Sequence, residues 1–207
     1  MTAAGTGLNR VWGTAALAAI LWFVTFFLSF SNFWLKIAAS ALLLAVLALV
    51  FQPPKTRPKI RTGDLLIGVV SAVVLWGIFW LGKQASSTLF PFAGGQIEAI
   101  YIKGAGFSRQ GVFLLLLLIT GPCEEIYWRG YLQKNLMNRY GDASGFILAT
   151  AVYAGVHIWS MNFMLVGAAA VAGAFWGLLY WRCRRLSPVI VSHALWSSFV
   201  FSVIPIP

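Results

Sequence analysis

The chain has 207 residues, of which 60% are hydrophobic and 10% charged, and its mean hydropathy is +0.83. A soluble domain of this length cannot bury so much apolar surface, so the composition excludes a soluble globular protein and predicts an integral membrane protein. The formal net charge is +10, but the basic residues fall mostly between apolar runs, as the positive-inside rule describes for membrane proteins. We therefore expect the lipid bilayer, and no nucleic acid, as a partner.

Seven apolar runs, separated by polar or basic segments, are long enough to span a bilayer. They cover residues 11–30, 33–51, 65–82, 110–139, 144–160, 162–181 and 188–204. No small-x-small cleavage site follows the first run, so we expect a retained helix and not a signal peptide. The sequence thus predicts an all-α, polytopic bundle of about seven transmembrane helices, forming a single domain over residues 1–207.

Two connections between the runs differ in character. Residues 52–64 carry four basic residues and three prolines, which predicts a loop. Residues 83–109 contain Pro91 and the pair Gly94-Gly95, and we expect them to be partly re-entrant or to lie on the membrane surface.

Two local patterns occur in the last two runs. Ser187 and Pro188 suit the N-cap and the first position of the last helix. Gly173-x-x-x-Gly177 suits close packing of helices in lipid, although small residues are also common in membrane helices without such a role.

The distribution of basic residues predicts the orientation of the bundle. If the loop at 52–64 is cytoplasmic, eleven Lys and Arg residues, Arg129 among them, belong to the inner side. Four belong to the outer side, namely Lys36, Lys83, Lys103 and Arg109. This imbalance predicts a cytoplasmic N-terminus and an external C-terminus.

Two of the five acidic residues stand side by side within the fourth apolar run, at Glu124 and Glu125. A charged side chain within a bilayer costs about 2.5 to 3.5 kcal/mol on insertion scales, so each carboxylate needs a partner or a function. Arg129 follows Glu125 at i+4, the favourable acid-first order on a helix. We therefore expect Glu125 to pair with Arg129 and Glu124 to point elsewhere, although both glutamates could simply pair with basic groups near the membrane surface.

The only two histidines also lie within apolar runs, His157 in the fifth and His193 in the seventh. A lone histidine in a membrane helix is often no more than an interhelical hydrogen-bonding group. With a rise of ~1.5 Å per residue, Glu124 and His193 lie at about one depth, whereas His157 needs helix tilt or a water-filled cavity to reach them.

Glutamate and histidine together suit hydrolysis. A buried carboxylate can deprotonate water, and a histidine can stabilise the oxyanion of a tetrahedral intermediate. Glu124, His157 and His193 could instead hold a divalent metal such as zinc, since glutamate and histidine are both zinc ligands. The spacing Glu-Glu-x-x-x-Arg is not the His-Glu-x-x-His pattern of zincins, so a metal is not required.

Three ordered motifs resemble those of the CPBP family, which comprises type II CAAX prenyl endopeptidases and bacteriocin-processing (Abi) membrane proteases. They are Glu124-Glu125-x-x-x-Arg129, Tyr153-x-x-x-His157 and His193-x-x-x-Ser197. The resemblance covers roughly residues 110–202, and its most specific part is the first motif with the residues 130–133 that follow it. It implies a polytopic helical protease whose active site lies within the membrane, and we expect a bacterial or archaeal plasma membrane.

The resemblance also implies a role for each motif residue. Glu124 resembles the base that activates water, and Glu125 and Arg129 resemble its supporting pair. His157 resembles a second water-binding group, and His193 an oxyanion stabiliser. The family is described both as metalloproteases and as glutamate-dependent proteases, so the resemblance leaves the metal open.

Two positions depart from the family pattern. Tyr153 stands where the family usually has Phe, which adds a hydroxyl. Ser197 stands where the family typically has Asn or Asp, and serine reaches less far and lacks the amide geometry. Ser197 remains a candidate site residue on the resemblance alone.

The implied substrate is a membrane-associated protein or peptide, cleaved at a CAAX-type tail, a leader peptide or a C-terminal sorting anchor. A cysteine nucleophile at Cys123 is an alternative mechanism, but two adjacent carboxylates disfavour the thiolate that it needs. Two other functional classes stay open at this point. One is a membrane scaffold or immunity protein that retains the motifs without proteolysis, and the other is an ion or proton transporter that uses the buried carboxylates.

Overall fold

The computed structural model describes residues 3–54, 61–103 and 106–206. Within these ranges the chain forms eight helices. They are α1 (Ala3–Phe26), α2 (Phe33–Phe51), α3 (Thr62–Leu89), α4 (Ala93–Ile102), α5 (Arg109–Tyr140), α6 (Asp142–Val156), α7 (Phe163–Cys183) and α8 (Ser187–Ser202). A single 3₁₀ turn, His157–Ser160, follows α6.

The described helices include six that are long and apolar enough to cross a membrane, namely α1, α2, α3, α5, α7 and α6 with its 3₁₀ turn. Large apolar side chains such as Leu66, Val73 and Leu118 are about two-thirds exposed on the outer surface of the bundle, where lipid would cover them. This arrangement confirms a helical membrane bundle. The seventh predicted span, α8, has 16 residues and would be ~24 Å long, so the count of seven stays a prediction.

The helices run alternately up and down, so their ends gather at two faces. One face, which we call the basic face, is defined by contacts between helix ends close to the loop at 52–64. Arg10 of α1 lies 5.5 Å from the ring centroid of Phe51 in α2, and Asn135 of α5 donates to Gln52 at 2.8 Å. Part of the predicted basic loop, residues 55–60, lies outside the described residues.

The opposite face, which we call the mouth face, joins α4 to the far ends of the other helices. Lys103 lies 5.9 Å from the ring centroid of Phe26, where α1 ends. The side chain of Asn162, the N-cap of α7, donates to the carbonyl of Gln96 at 2.7 Å. In the same region the backbone N–H of Ile206 donates to the Tyr101 hydroxyl at 3.2 Å.

Residues 83–109 are mostly helical, and their re-entrant or surface position in the membrane stays a prediction. The helix α3 continues through Lys83 to Leu89, and Gly94 and Gly95 lie inside α4 instead of breaking the chain. Gln96 stabilises α4 against α7, since its side-chain oxygen also accepts from the backbone N–H of Met164 at 3.0 Å.

The predicted N-cap of the last helix is wrong, because Leu186 occupies that position and Ser187 is the first helical residue. The Ser187 hydroxyl donates to the buried carboxylate of Asp64 at 2.8 Å, and Arg185 lies 2.6 Å from the same carboxylate. A charged acceptor on α3 thus takes the hydroxyl that would otherwise cap α8.

A second correction concerns Arg129, which the sequence places on the inner side. Its side chain is 2% exposed and is held among buried groups within the bundle. Arg129 therefore lies inside the bundle and not at either face, and ten basic residues remain among those that the sequence predicts for the inner side.

Candidate active site

The acidic pair lies on a short α-helical part of α5, Gly121–Tyr127, between two π-helical segments. The π-helical segments are Leu116–Thr120 and Trp128–Gln133. Such segments inside α-helices occur often at functional sites, because the extra residue changes which side chains face the interior.

Gly121 allows α8 to pass close to α5 at the level of the acidic pair. A Cβ atom on Gly121 would lie 2.8 Å from Cα of Ala194, closer than real side chains approach a backbone. Ala194 is next to His193, so this contact sets the distance at which His193 meets the glutamates.

Glu125 is fully buried and binds two basic side chains through one oxygen. Its Oε1 accepts from a guanidinium nitrogen of Arg129 at 2.7 Å and lies 2.6 Å from Nδ1 of His193. The second terminal nitrogen of Arg129 donates to the carbonyl of Gly173 at 3.2 Å. The predicted pairing of Glu125 with Arg129 is therefore observed, and Glu125 also orients His193.

Small residues on α7 allow this arrangement. A Cβ on Gly173 would lie 2.8 Å from the Tyr153 ring, and one on Gly177 would lie 3.1 Å from the side-chain oxygen of Gln133. Gln133 donates to the Gly177 carbonyl at 2.9 Å, much as Arg129 does at Gly173. The Gly-x-x-x-Gly pattern thus serves close packing, as the sequence suggested.

His193 is held in one orientation by its contacts. Its ring stacks on Trp176, with centroids 3.8 Å apart and planes at 13°. The indole N–H of Trp176 donates to Ser192, which fixes the stacking partner in turn. Because Nδ1 faces Glu125, Nε2 is the ring nitrogen that His193 can offer to a substrate.

Glu124 points away from the pair formed by Glu125 and Arg129. Its side chain is 6% exposed, and its Oε2 accepts from the Tyr153 hydroxyl at 3.3 Å. The face of the Tyr153 ring receives the guanidinium carbon of Arg129, 4.7 Å from the centroid. Tyr153 therefore contacts Glu124 through its hydroxyl and Arg129, the partner of Glu125, through its ring.

Both ring nitrogens of His157 are engaged. Nδ1 lies 2.7 Å from the carbonyl of Tyr153, and Nε2 accepts from the indole N–H of Trp22 at 3.2 Å. Since a carbonyl only accepts and an indole only donates, the proton of the neutral ring belongs on Nδ1. This histidine is thus fixed as one tautomer by a residue of α1.

The remaining candidates are placed differently. The Ser197 hydroxyl donates to the carbonyl of His193 at 2.8 Å, so it is hydrogen-bonded within α8. Cys123 is half-buried and is absent from the cavity lining within the described part of the chain. This position disfavours a cysteine nucleophile.

One cavity of about 430 Å³ joins these groups. Glu124, His157 and His193 all line it, together with Tyr153 and Ser197. Its other walls are mostly apolar and come from α1 to α4, α7 and α8, including Phe26, Trp34, Phe79, Tyr101, Phe163 and Trp196. The arrangement offers one buried carboxylate, one oriented imidazole and an apolar space large enough for side chains of a peptide.

The same residues do not fit a metal ion well. Within the described ranges no group of three or more His, Cys, Asp or Glu side chains is arranged to hold a metal. Nε2 of His157 accepts a hydrogen bond from the Trp22 N–H, and Nδ1 of His193 faces Glu125. A metal bound by Glu124, His157 and His193 would require Trp22 to move away.

Sequence reasoning missed two residues of this site. Trp22 lies about 100 residues before the acidic pair, and the chain has ten tryptophans. Nothing in the sequence distinguishes Trp22 from the others as a partner of His157. The sequence does not indicate the contact of Trp176 with His193 either, because an aromatic residue in an apolar helix is ordinarily a packing residue. Tyr153 carried a signal, since its hydroxyl is an addition to the motif, but the contact with Glu124 required the fold.

The part of the chain that contains this site is similar to a known protein family. Residues 108–199 match the Rce1-like family, described as type II CAAX prenyl endopeptidase Rce1-like. No curated protein and no solved structure matches the chain. The matched range contains every candidate residue from Glu124 to Ser197, whereas Trp22 lies outside it. Residues 108–199 are therefore similar to the Rce1-like type II CAAX prenyl endopeptidase family, and this similarity supports an intramembrane endopeptidase of the CAAX type.

Proposed function

We propose that Glu124 is the base of this endopeptidase. It is the one carboxylate of the acidic pair that lines the cavity, while Glu125 is committed to Arg129 and His193. Glu124 removes a proton from water, and the resulting hydroxide forms a bond to the carbonyl carbon of the substrate. When the C–N bond breaks, protonated Glu124 returns the proton to the leaving amine. This exchange regenerates the carboxylate.

His193 stabilises the oxyanion in this proposal. In its protonated form the ring donates from Nδ1 to Glu125 and presents the N–H of Nε2 to the substrate oxygen. The negative charge of Glu125 offsets the positive charge of Arg129. The negative charge of Glu124 offsets the positive charge of protonated His193. The four side chains together are neutral, which lowers the cost of holding them within the bundle.

Tyr153 and His157 act as positioning residues, with Tyr153 holding Oε2 of Glu124 and His157 holding the backbone of Tyr153. His157 thus differs from the water-binding group that the resemblance implies, since neither of its ring nitrogens is available to water while Trp22 donates to Nε2. We assign no catalytic step to Ser197.

We also propose that the reaction proceeds without a metal. The support is the arrangement of the donors, because Nε2 of His157 already accepts from Trp22. After exhaustive chelation, the purified enzyme should cleave at a rate within about twofold of the untreated rate. An enzyme that needed zinc bound by glutamate and histidine would instead lose its activity. Loss on chelation and recovery with added zinc would contradict the metal-free mechanism.

The substrate is a peptide segment of a membrane-associated protein. The apolar cavity supports a segment with hydrophobic side chains near the scissile bond. A CAAX-type tail, a leader peptide and a C-terminal sorting anchor all have such side chains.

The deciding experiment replaces Glu124 with Gln. Glu124→Gln keeps the size of the side chain but removes the base, so cleavage should fall at least about a hundredfold, as is usual for loss of a general base. Glu98→Gln is the matched control, because Glu98 is exposed on α4 and does not line the cavity. Both variants are measured for cleavage and for the amount of folded protein in the membrane.

The same pair of variants separates the alternatives. Cleavage by Glu124→Gln at the wild-type rate would exclude Glu124 as the base. If the wild type cleaves no substrate and Glu124→Gln fails to accumulate as folded protein, the scaffold or immunity function would be favoured.

A further inference from the structure

We propose that residues 203–206, which follow α8, close the wall of the catalytic cavity between α4 and α8 and must move away before a substrate binds. We call this segment the strap. The inference rests on the proposed proteolytic function and adds a device that controls access to the same site. The strap and the substrate compete for one part of the cavity.

The strap begins with a sharp bend of the chain at the end of α8. The backbone N–H groups of Val203 and Ile204 both donate to the carbonyl of Phe199 at 2.8 Å. The side chains of Val203 and Ile204 are about half exposed, whereas that of Ile206 is 7% exposed. Ile206 is therefore the strap residue that enters the bundle.

Ile206 lies in the wall of the catalytic cavity. Its side chain belongs to a buried apolar cluster that also contains Leu75 of α3 and Trp196 and Val200 of α8. Its backbone N–H donates to the hydroxyl of Tyr101 in α4 at 3.2 Å, and Tyr101 lines the same cavity. The strap thus joins the end of α8 to α4 across the cavity wall.

The strap lies at a part of the wall that can open without separating packed helices. The helix α4 packs against α3 and α7, and Gln96 holds it to α7 by two hydrogen bonds. It meets α8 through the Tyr101 ring, whose centroid lies 5.8 Å from that of Phe201, and through the strap. A movement of the strap and of these side chains therefore opens the wall, as loops do in many enzymes.

The sequence of the strap suits an extended occupant of a cavity. Ile204 and Ile206 each precede a proline, and a residue before proline is restricted to extended conformations. Pro205 has a fixed φ, so the strap loses less conformational entropy when it is held against the wall. An extended apolar segment bound through its main chain is also what this cavity would take as a substrate. The strap is thus held in the way that a peptide would be held.

Competition between strap and substrate affects KM more than kcat. When the substrate binds only to molecules with an open strap, its apparent affinity is reduced by the fraction of molecules that are open. At saturating substrate the strap is displaced in every molecule, so kcat depends on the catalytic groups alone. Weakening the strap should therefore lower KM and leave kcat nearly unchanged.

The first test replaces the buried residue of the strap. Ile206→Ser removes the apolar side chain from the cavity wall and should lower KM for a cleaved apolar peptide at least about fivefold. Ile204→Ser is the matched control, because it makes the same change at an exposed position of the same segment, and its KM should stay within about twofold of the wild type. A lower kcat with an unchanged KM in Ile206→Ser would show that Ile206 only stabilises the fold, and would overturn the proposal.

Tyr101→Phe weakens the strap without changing its sequence. It keeps the ring beside Phe201 but removes the oxygen that accepts from Ile206. Loss of one neutral hydrogen bond changes an equilibrium about fivefold, so KM should fall by up to about fivefold. If KM falls in neither Tyr101→Phe nor Ile206→Ser, the strap does not compete with the substrate and the proposal is overturned.

The second test follows the strap directly in protein purified in detergent. In a background with Cys123→Ala, Cys183→Ala and Glu124→Gln, Ile206→Cys places a thiol on the buried part of the strap and Ile204→Cys is the control. A charged maleimide should label Ile206→Cys at least about tenfold more slowly than Ile204→Cys, because burial excludes the reagent until the strap opens. In denaturing detergent the two rates should be similar.

A bound peptide should release the strap. The peptide is the one that binds the Glu124→Gln protein most tightly in a panel of apolar peptides, as measured by fluorescence anisotropy of labelled copies. At saturation it should raise the labelling rate of Ile206→Cys at least about fivefold and leave that of Ile204→Cys unchanged. Unchanged or slower labelling of Ile206→Cys with this peptide bound, or equal labelling of the two thiols without it, would overturn the proposal.

The two proposals fail in different ways. If no peptide is cleaved in a Glu124-dependent manner, the proposed function fails, while the labelling rates still report on the strap because they require binding and not cleavage. If cleavage depends on Glu124 but peptide binding leaves Ile206→Cys protected, the catalytic proposal stands and the strap fails.

Discussion

Glu124 and Glu125 are neighbours in the chain but have different environments, because successive side chains on a helix point about 100° apart. Glu125 faces Arg129 and His193, whereas Glu124 faces the cavity and the Tyr153 hydroxyl. At the scale of single residues, the site is a set of polar side chains that each depend on one or two buried contacts. Removing one contact should therefore have a measurable effect.

Trp22→Phe tests the contact with His157. The variant keeps an aromatic ring in the buried position but removes the N–H that occupies Nε2 of His157. A neutral hydrogen bond contributes about 1 kcal/mol, so cleavage should fall about fivefold. The freed Nε2 should also make the enzyme more sensitive to inhibition by zinc ions.

Trp12→Phe is the control for this variant, since Trp12 lies on the same helix and is partly exposed. It should leave both the cleavage rate and the zinc sensitivity unchanged. Equal zinc sensitivity of Trp22→Phe and the wild type would argue against the role assigned to Trp22.

Tyr153→Phe removes the hydroxyl that donates to Glu124 while keeping the ring on which Arg129 rests. Hydrogen bonds to charged groups contribute about 1.5 to 3 kcal/mol, and the 3.3 Å separation favours the lower value, so kcat should fall about tenfold. Tyr140→Phe, at an exposed position at the end of α5, should behave as the wild type. An unchanged kcat in Tyr153→Phe would show that Glu124 needs no such donor.

At the scale of helices, the site depends on two close approaches. Gly121 brings α8 against α5, and Gly173 brings α7 against the Tyr153 ring. These contacts position His193 and Arg129 with respect to Glu125, so the packing of three helices determines the geometry of the polar groups.

Gly121→Ala should separate α5 from α8. The added methyl would lie 2.8 Å from Cα of Ala194, and relieving such a contact costs about 1 to 3 kcal/mol. We expect a lower Tm in detergent and a loss of activity that exceeds the loss of folded protein, because His193 would move away from Glu125. Gly77→Ala on α3 is the control, since a Cβ there meets no atom within 4 Å. Equal behaviour of the two variants would contradict a positioning role for Gly121.

At the scale of the whole molecule, the matched family domain is not sufficient for the site. The α1 helix supplies Trp22 to His157, and α1 to α4 supply much of the cavity wall. All four helices lie outside the match at residues 108–199. The N-terminal helices are therefore part of the candidate active site.

A split chain tests this dependence. A fragment of residues 1–54 contains α1 and α2, and a fragment of residues 61–207 contains the other helices. Neither fragment alone should cleave, whereas co-expression should restore Glu124-dependent activity if the helices associate in the membrane as they pack in the intact chain. Co-expression with Trp22→Phe in the first fragment should lower the restored activity about fivefold, the same factor as in the intact chain. Wild-type activity in the fragment 61–207 alone would contradict the role of α1.

Much of this arrangement follows from local sequence patterns. The limits of α2 agree with the predicted run, and α5 and α7 agree within one or two residues, because long apolar segments leave a membrane chain no alternative to helix. The pairing of Glu125 with Arg129 also follows, since it depends only on helical spacing. The helix α4 within residues 83–109 does not follow from local patterns, because Gln96 holds it against α7 through a hydrogen bond to Met164, 68 positions away.

The sequence by itself determined the membrane class, the helical bundle, the three motifs and the excess of positive charge on one side. These features depend on composition and on spacing along one helix. Only the tertiary structure decided that Glu125 binds His193 as well as Arg129, that Trp22 occupies Nε2 of His157, and that α1 to α4 help to line the cavity beside Glu124. The physical reason is that each of these contacts joins residues more than 60 positions apart, and their distances are set by helix packing, which no local pattern encodes.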